Sequence, residues 1–237
     1  IFYAFGEEIA SDRGYIWDDP RNAWTRSTLA HNLVTVDGAD QERKERHSVL
    51  ELFGAGAGVE VIQARAENAY AQCDLYRRTL ALVQIEGEST YAVDVFRVHG
   101  GKRHQYGFQC NGTLVEFEGG ELTSTAETHR WLTNFRACKA DSVPRATWQD
   151  GERHMDLFVL NTCDRVAIVD APGWRSDRGS EMNAPPIQQL FAERAQSKNG
   201  LQSDFVAVMA PYTGERLVSS VTQVDVGGGA VGVRVEL

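Results

Sequence analysis

The sequence has 237 residues, of which 42% are hydrophobic and 24% are charged, a composition typical of a globular chain rather than a disordered or collagen-like one. Its 33 acidic and 24 basic residues give a formal net charge of -9. This charge argues against a general nucleic-acid binder and against a protein of anionic membranes, because both partners would be repelled at long range. No apolar run reaches the roughly 18 to 20 residues that a membrane-spanning helix needs.

The chain starts at Ile1 rather than at Met, and the residues after Ile1 do not form a secretory signal. We therefore expect it to be a processed or excised part of a longer protein.

The four cysteines are widely spaced, without a C-x-x-C pair or a histidine at zinc-finger spacing. They are Cys73, Cys110, Cys138 and Cys163. Two disulfides in an oxidising compartment and four buried free thiols are both compatible with this pattern.

A two-residue period dominates the chain from beginning to end. Short runs rich in β-branched and aromatic residues predict strands, at 33–36, 59–62, 80–83, 91–96, 156–160, 166–169, 205–209 and 231–235. Glycine turns such as Asp37-Gly38 and Gly100-Gly101 separate the runs, since tight hairpins demand positive φ. No apolar helical stripe extends over three turns. We predict one all-β domain over residues 1–237, a large antiparallel β-sandwich of a dozen or more strands, with a long surface loop at 172–186.

The first candidate site lies at the start of a predicted strand. His31 and Asn32 precede apolar residues, and the strand ends at Asp37-Gly38. Because side chains alternate along a strand, His31 shares a face with Leu33 while Asn32 lies on the other. A lone histidine here would be a hydrogen-bonded structural residue, but its polar neighbours favour a functional role.

Asp94 is the second candidate, because it stands in an otherwise apolar row of the predicted strand 91–96. A buried carboxylate must be paired, hydrogen-bonded or coordinated. Its partner is either an arginine, such as Arg77, Arg78 or Arg97, or a metal that histidines also hold.

The turn after this strand is the most cationic and titratable part of the sequence. His99 and His104 flank it, with Lys102 and Arg103 between them. We predict that Lys102, Arg103 and His104 bind substrate, whereas solvated turn residues are the structural alternative.

Several segments resemble the heparinase II/III-like polysaccharide lyases. Residues 27–41 are similar to the family signature S-x-x-H-N-T-V-x-V-D-G-x-x-Q. Later segments follow in the family's order, namely an arginine-bearing strand (76–80), a D-x-F-R-V … H-x-Y hairpin (94–106) and the closing strands (192–212). The resemblance spans essentially the whole chain. It implies the family's C-terminal β-sandwich, which packs against an N-terminal α/α-toroid with substrate between the two.

The resemblance also implies a function. Such lyases cleave uronic-acid polysaccharides, including heparin, heparan sulfate and alginate, by β-elimination. The expected partners are therefore an acidic polysaccharide and the N-terminal helical domain of the same enzyme, without which the isolated chain should be inactive. A periplasmic or secreted location follows. The alternative is a non-catalytic module for acidic-glycan binding or domain packing, in which the basic turn and exposed tryptophans contact the glycan.

β-Elimination needs a base, an acid for the leaving oxygen, and donors or a cation that neutralise the uronate carboxylate. In the family, a tyrosine and a neutralising Asn/His pair come from the helical domain. The resemblance carries over only His31 as a catalytic-site histidine, with Asn32 orienting it.

Some members of the family hold a structural divalent metal such as zinc through His and Asp. The resemblance would draw the ligands of such a metal from His31, Asp94, His104 and His99. Two departures from the family pattern, Leu33 in place of Thr and Gln109 near a common second histidine, indicate a different substrate subgroup or a missing metal.

Overall fold

The structure is a computed structural model that describes residues 1–15, 19–44, 47–85, 89–160, 163–173 and 184–237. Within these ranges, helical structure is confined to α1 (Asn22–Thr25) and a 3-10 turn at Thr28–Ala30. The strands are β1 (Phe2–Ala4), β2 (Glu7–Ala10), β3 (Val34–Val36), β4 (His47–Gly56), β5 (Val59–Glu67), β6 (Cys73–Gln84), β7 (Thr90–Gly100), β8 (Arg103–Gln109), β9 (Thr113–Glu118), β10 (Thr123–Ser124), β11 (Thr133–Cys138), β12 (Arg145–Asp150), β13 (Arg153–Val159), β14 (Arg165–Ala171), β15 (Ile187–Ala195), β16 (Gln202–Thr213), β17 (Ser220–Val224) and β18 (Gly232–Glu236).

Two antiparallel sheets form the sandwich. The larger has the order β4-β5-β6-β7-β16-β13-β12-β9, and the smaller has the order β10-β11-β14-β15-β8-β3. The pairs β1-β2 and β17-β18 form two-stranded ribbons. The predicted all-β antiparallel sandwich is therefore confirmed, and each predicted apolar run overlaps a strand. Most of the loop predicted at 172–186 lies outside the described residues.

The main core lies between the two sheets. Along β7, Ala92, Asp94, Phe96 and Val98 are buried while the residues between them are partly exposed, as expected when one face of a strand packs inward. Large side chains from both sheets fill this core, and burying each contributes about 1.5–3 kcal/mol. Asp94 is the exception in its row, because a fully buried carboxylate stands among apolar neighbours.

A second core forms on the opposite face of the smaller sheet. Trp24 and Ala30, from the segment that precedes β3, pack there with Phe191. Two neighbouring glutamines hold the same segment, since Gln109 Nε2 donates to the carbonyl of Ala30 at 2.6 Å and Gln189 Nε2 donates to that of Leu29 at 2.8 Å. The residues just before His31 are thereby fixed to the sheet.

The β17-β18 ribbon covers part of the larger sheet's outer face. Val218 and Val221 form a third apolar cluster with Phe158 and Val208. The neighbouring Arg216 donates through Nε to Asp156 at 2.8 Å.

All four cysteines are free thiols, of which Cys110 and Cys163 are buried and Cys73 and Cys138 are partly exposed. The structure therefore contains the free thiols of the second alternative, but only two of them are buried. Burial raises the pKa of Cys73 and of Cys163 to about 11. Of the helices that the structure describes, none is long and apolar enough to cross a membrane.

Candidate functional site

The two ends of the segment 27–41 are hydrogen-bonded to each other. The backbone N–H of Thr28 donates to Asp40 Oδ1 at 2.6 Å, and the N–H of Gln41 donates to Thr28 Oγ1 at 2.9 Å. Gln41 also donates through Nε2 to the hydroxyl of Tyr76 on β6, at 2.9 Å. These bonds close the segment into a rigid loop, and His31 lies within it.

Asp37 joins this loop to the turn between β7 and β8. Its Oδ1 accepts the backbone N–H groups of Lys102 and Arg103 at 2.8 and 2.9 Å, and its Oδ2 accepts Gln72 Nε2 at 3.1 Å. Burial opposes the charge, but these bonds hold the pKa of Asp37 below its usual value. The turn contains Gly101 because a Cβ there would lie 2.6 Å from Val36 Cγ1.

His31 forms a close pair with Asp12, in the segment that follows β2. Nδ1 of His31 lies 2.8 Å from Asp12 Oδ2, and this bond is the main cause that lowers the pKa of Asp12 to about 2. Since the carboxylate is the acceptor, Nδ1 carries the proton and a neutral ring has its free electron pair on Nε2. Nε2 makes no hydrogen bond to any part of the chain that the structure describes. Asp12 therefore fixes the orientation of the ring through Nδ1, and Nε2 is available to accept a proton or a hydrogen bond.

Asn32 has a structural partner on β8. Its Nδ2 donates to the carbonyl of Gln109 at 3.1 Å, and its Oδ1 accepts the N–H of Gln109 at 2.9 Å. The side-chain amide thus pairs with the backbone as a neighbouring strand would. This arrangement fixes the backbone that carries His31.

Beneath Asn32 lies a buried ion pair. Arg78 donates through Nε and Nη2 to the two oxygens of Asp94, at 3.0 and 2.7 Å, and through Nη1 to the carbonyl of Asn32 at 2.9 Å. Tyr106 donates its hydroxyl to Asp94 at 2.9 Å. Burial disfavours the cation, yet the charge and hydrogen bonds of Asp94 outweigh it and raise the pKa of Arg78. Of the two partners predicted for Asp94, an arginine or a metal, the structure shows the arginine, Arg78.

A cavity of about 440 Å³ opens beside these residues. Polar groups line one part of it and apolar side chains line the rest, including Asp12, His31, Asn32, Arg78 and Gln109 among the first and Leu33, Leu80, Leu82, Phe108 and Met209 among the second. Such a mixture, with a few convergent polar groups on an apolar wall, is typical of small-molecule binding sites.

A second cleft, of about 490 Å³, shares His31 and Leu33 with the first cavity. Its remaining lining residues are Thr25, Arg26, Thr28, Gln41 and Arg43. His31 therefore stands between a partly apolar cavity and a cleft that carries two arginines.

The model of the family described as "Heparinase II/III-like, C-terminal" matches residues 1–197. The chain belongs to this family. An alginate lyase from Stenotrophomonas maltophilia (strain K279a) is 24% identical over 203 residues, which cover 72% of this chain and 27% of that protein.

Solved lyases of this kind share the fold of the chain. A heparan sulfate lyase from Pedobacter heparinus superimposes with a TM-score of 0.63 at 14% identity, over 97% of this chain and 33% of that one. A heparinase III superimposes with a TM-score of 0.65 at 16% identity, over 98% of this chain and 33% of that one. The chain thus spans about a third or less of the length of these relatives.

The predicted substrate-binding residues at the β7–β8 turn are not close to His31. β8 runs from Arg103 to Gln109, so its ends lie roughly 20 Å apart at about 3.3 Å per residue; the turn is at one end and Asn32 contacts the other. Lys102 is exposed. Arg103 is exposed too, but it pairs with the buried Glu193 at 2.8 Å.

His104 is buried rather than facing a ligand. Its Nε2 donates to the carbonyl of Gly100 at 2.6 Å, and its Nδ1 lies 2.8 Å from Ser203 Oγ. Burial lowers the pKa of His104, although the bond to Gly100 opposes this effect. The expectation that His104 contacts substrate does not match this position, because both ring nitrogens bind the protein itself.

The residues named for a family-type metal do not fit one. His31, Asp94 and His104 each have separate partners, and the described residues contain no group of three His, Cys, Asp or Glu side chains that could hold a metal ion. The physical reason lies at Asp94, whose charge the guanidinium of Arg78 already neutralises.

Asp12 is the site residue that the sequence analysis missed. It stands 19 positions before His31, in a segment without strand or helix periodicity, so no local pattern links the two. The tryptophans considered as sugar platforms give little support to that role, since Trp24 and Trp148 are buried, while Trp17 and Trp174 lie outside the described residues.

Proposed function

We propose that the chain is the β-sandwich part of a polysaccharide lyase that cleaves a uronic-acid-containing polysaccharide by β-elimination, with His31 as the base. The observation that carries the proposal is the His31–Asp12 pair between two clefts, with Nε2 available on the side away from the carboxylate. The family and the relatives support the same class of reaction, because those relatives are an alginate lyase and heparan-type lyases.

The reaction requires removal of the proton on the carbon next to the uronate carboxylate. In our proposal, the electron pair on Nε2 of His31 takes this proton, the electrons of the broken C–H bond form a carbon–carbon double bond, and the glycosidic oxygen leaves with the other electron pair. Asp12 stabilises the resulting imidazolium and holds the ring in the required tautomer. Protonation of the leaving oxygen and neutralisation of the uronate are assigned to the helical domain that the family resemblance implies.

The proposed substrate is a polyanion such as alginate or a heparan-type chain. We also propose that the enzyme acts in the periplasm or outside the cell, because a long polyanion does not cross a membrane unaided. The partly apolar wall of the first cavity suits the apolar face of a pyranose ring, while the arginines of the second cleft suit its acidic groups.

The test is replacement of His31 by Ala in the full-length protein. We expect kcat to fall by about 10²- to 10⁴-fold, the usual contribution of a positioned acid or base. The measurement is the ultraviolet absorbance of the unsaturated uronate product. His47→Ala is the matched control, because His47 is an exposed histidine at the start of β4. Near-normal activity of His31→Ala would remove this residue from the mechanism.

Binding and activity assays of the full-length protein distinguish the lyase from the alternative, a non-catalytic glycan-binding module. If the full-length protein binds acidic oligosaccharides but produces no unsaturated product from alginate or heparan-type chains, the sandwich is a non-catalytic glycan-binding module.

A further inference from the structure

We propose that the second cleft is an anion subsite, in which Arg26 and Arg43 bind a carboxylate or sulfate on the sugar next to the one that His31 deprotonates. The inference rests on the proposed function and adds the residues that select an acidic neighbouring sugar.

The first support is the way the two arginines are brought together. Arg43 Nη2 donates to the backbone carbonyl of Arg26 at 3.1 Å, so both residues meet on one wall of the cleft. Both are exposed. Two acids lie near them. Asp40 is 3.8 Å from Arg43 in an exposed pair and already accepts the N–H of Thr28, and Glu42, which does not line the cleft, accepts the backbone N–H groups of Arg43 and Lys44. Exposed pairs of this length are weak, so positive charge remains available in the cleft.

The second support is the rigidity of the wall on which they stand. Thr28, Gln41 and Tyr76 form a continuous set of hydrogen bonds from the 3-10 turn to β6. The two arginines extend from either end of this closed loop. A ligand would therefore meet a surface that is already formed, and less conformational entropy would be lost on binding.

The third support is the position of the cleft relative to His31. His31 and Leu33 line both the cleft and the 440 Å³ cavity, so a sugar chain can cross the histidine with one residue on each side. A guanidinium binds carboxylate or sulfate through two parallel hydrogen bonds. In a protein of net charge -9, a local cationic wall is what allows a polyanion to approach.

The β7–β8 turn fits this role less well. There, Glu193 neutralises Arg103, and the strand β8 separates the turn from His31.

The experiment compares the double variant Arg26→Gln/Arg43→Gln with Arg130→Gln/Arg234→Gln in the full-length protein. The control removes the same charge at two exposed arginines elsewhere. Steady-state kinetics are measured on unsulfated oligouronates from alginate and on sulfated heparan-type oligosaccharides. We expect the cleft variant to raise KM for the favoured oligosaccharide by about 10- to 100-fold, the loss typical of one or two charged hydrogen bonds, with kcat changed less than about twofold. Arg26→Lys/Arg43→Lys should recover part of the loss.

The kinetic result separates this inference from the proposed function. Loss of kcat in His31→Ala tests the base, whereas the KM of the arginine variant tests the subsite. An effect confined to sulfated oligosaccharides would identify sulfate as the ligand, and an effect on unsulfated ones would identify carboxylate.

An unchanged KM for both oligosaccharides, or an equal change in the control variant, would overturn the subsite. If the protein proves to lack lyase activity, calorimetric titration of the same oligosaccharides decides the question. Equal affinity of the wild type and the cleft variant would overturn the subsite in that case as well.

Discussion

Among single residues, His31 depends most directly on Asp12. The carboxylate fixes the proton on Nδ1 and, in the proposed reaction, compensates the charge of the ring after His31 takes a proton. Its own pKa of about 2 keeps it ionised at neutral pH. In this proposal Asp12 acts through the histidine, as a positioning residue.

We predict that Asp12→Asn lowers kcat by at least about tenfold with little change in KM, because an amide leaves the ring without a compensating charge. The check is steady-state kinetics, which measure kcat and KM separately. An unchanged kcat would show that Asp12 has only a structural part.

Arg78 is the second residue on which the site depends. Asp94 is completely buried, and removing its cation would leave a charge uncompensated in the core. We predict that Arg78→Met lowers the free energy of unfolding by about 3 kcal/mol, the lower end for a broken buried pair because Arg78 is partly exposed. Urea unfolding measures this. Arg78→Lys keeps the positive charge, so it should lower the free energy of unfolding less than Arg78→Met does. Some loss should remain, because a lysine cannot make all three hydrogen bonds.

The same ion pair predicts how the protein responds to chelators. Since the guanidinium of Arg78 supplies the positive charge at Asp94, we expect EDTA to leave the melting temperature of the wild-type protein unchanged. A drop in melting temperature that zinc reverses would show that a metal supports the fold elsewhere.

At the level of elements, His104 ties β8 to the end of β7 and to β16. Its folded pKa is lowered from the ordinary value of 6.5, so the unfolded chain takes up a proton at a higher pH than the folded one. The stabilisation is therefore present above about pH 6.5 and is lost as the pH falls toward the folded pKa.

We predict that the free energy of unfolding of wild type decreases between about pH 7.5 and about pH 5 more steeply than that of His104→Gln. Gln can still donate and accept hydrogen bonds but does not titrate. Denaturant unfolding at each pH provides the comparison, and parallel curves for the two proteins would contradict the assignment.

The strands also show how much of the fold could be predicted from the sequence. Alternation located β7, because one face is buried and the other is partly exposed. β16 is buried on both faces, and its continuous apolar run located it instead. β4 was not predicted, since its apolar residues are exposed and do not alternate with buried ones.

The site residues were harder to predict than the strands. At His104, the charged neighbours in the turn suggested an exposed ring, whereas Ser203 and Gly100 supply the partners that allow burial. The Asp12–His31 contact joins segments whose approach only the folded chain determines.

At the scale of the whole molecule, an apolar strip of the larger sheet lies open. Phe53 on β4 stands directly opposite Ile62 on β5, and Ile62 stands opposite Leu80 on β6, which lines the 440 Å³ cavity. Residues directly opposite share a face of the sheet. Phe53 is 71% exposed and Ile62 is 42% exposed. This apolar strip runs from the edge strand to the cavity beside His31.

Exposed apolar strips at a sheet edge promote association between copies. We predict that Phe53→Lys reduces concentration-dependent self-association of the chain. Val115→Lys is the matched control, because it adds the same charge at a comparably exposed valine on β9. Sedimentation velocity over a concentration series measures the effect, and equal behaviour of the two variants would assign it to charge alone.

The bonds around Asp37 have a further consequence for the lifetime of the protein. Asp-Gly sequences isomerise slowly to isoaspartate when the glycine nitrogen attacks the aspartate side chain through a succinimide ring. Here, Lys102, Arg103 and Gln72 hold that side chain, so it is not free to turn onto the nitrogen of Gly38. We expect this covalent ageing to occur in unfolded copies and to spare folded ones. The contacts that shape the loop around His31 thus also preserve its covalent integrity.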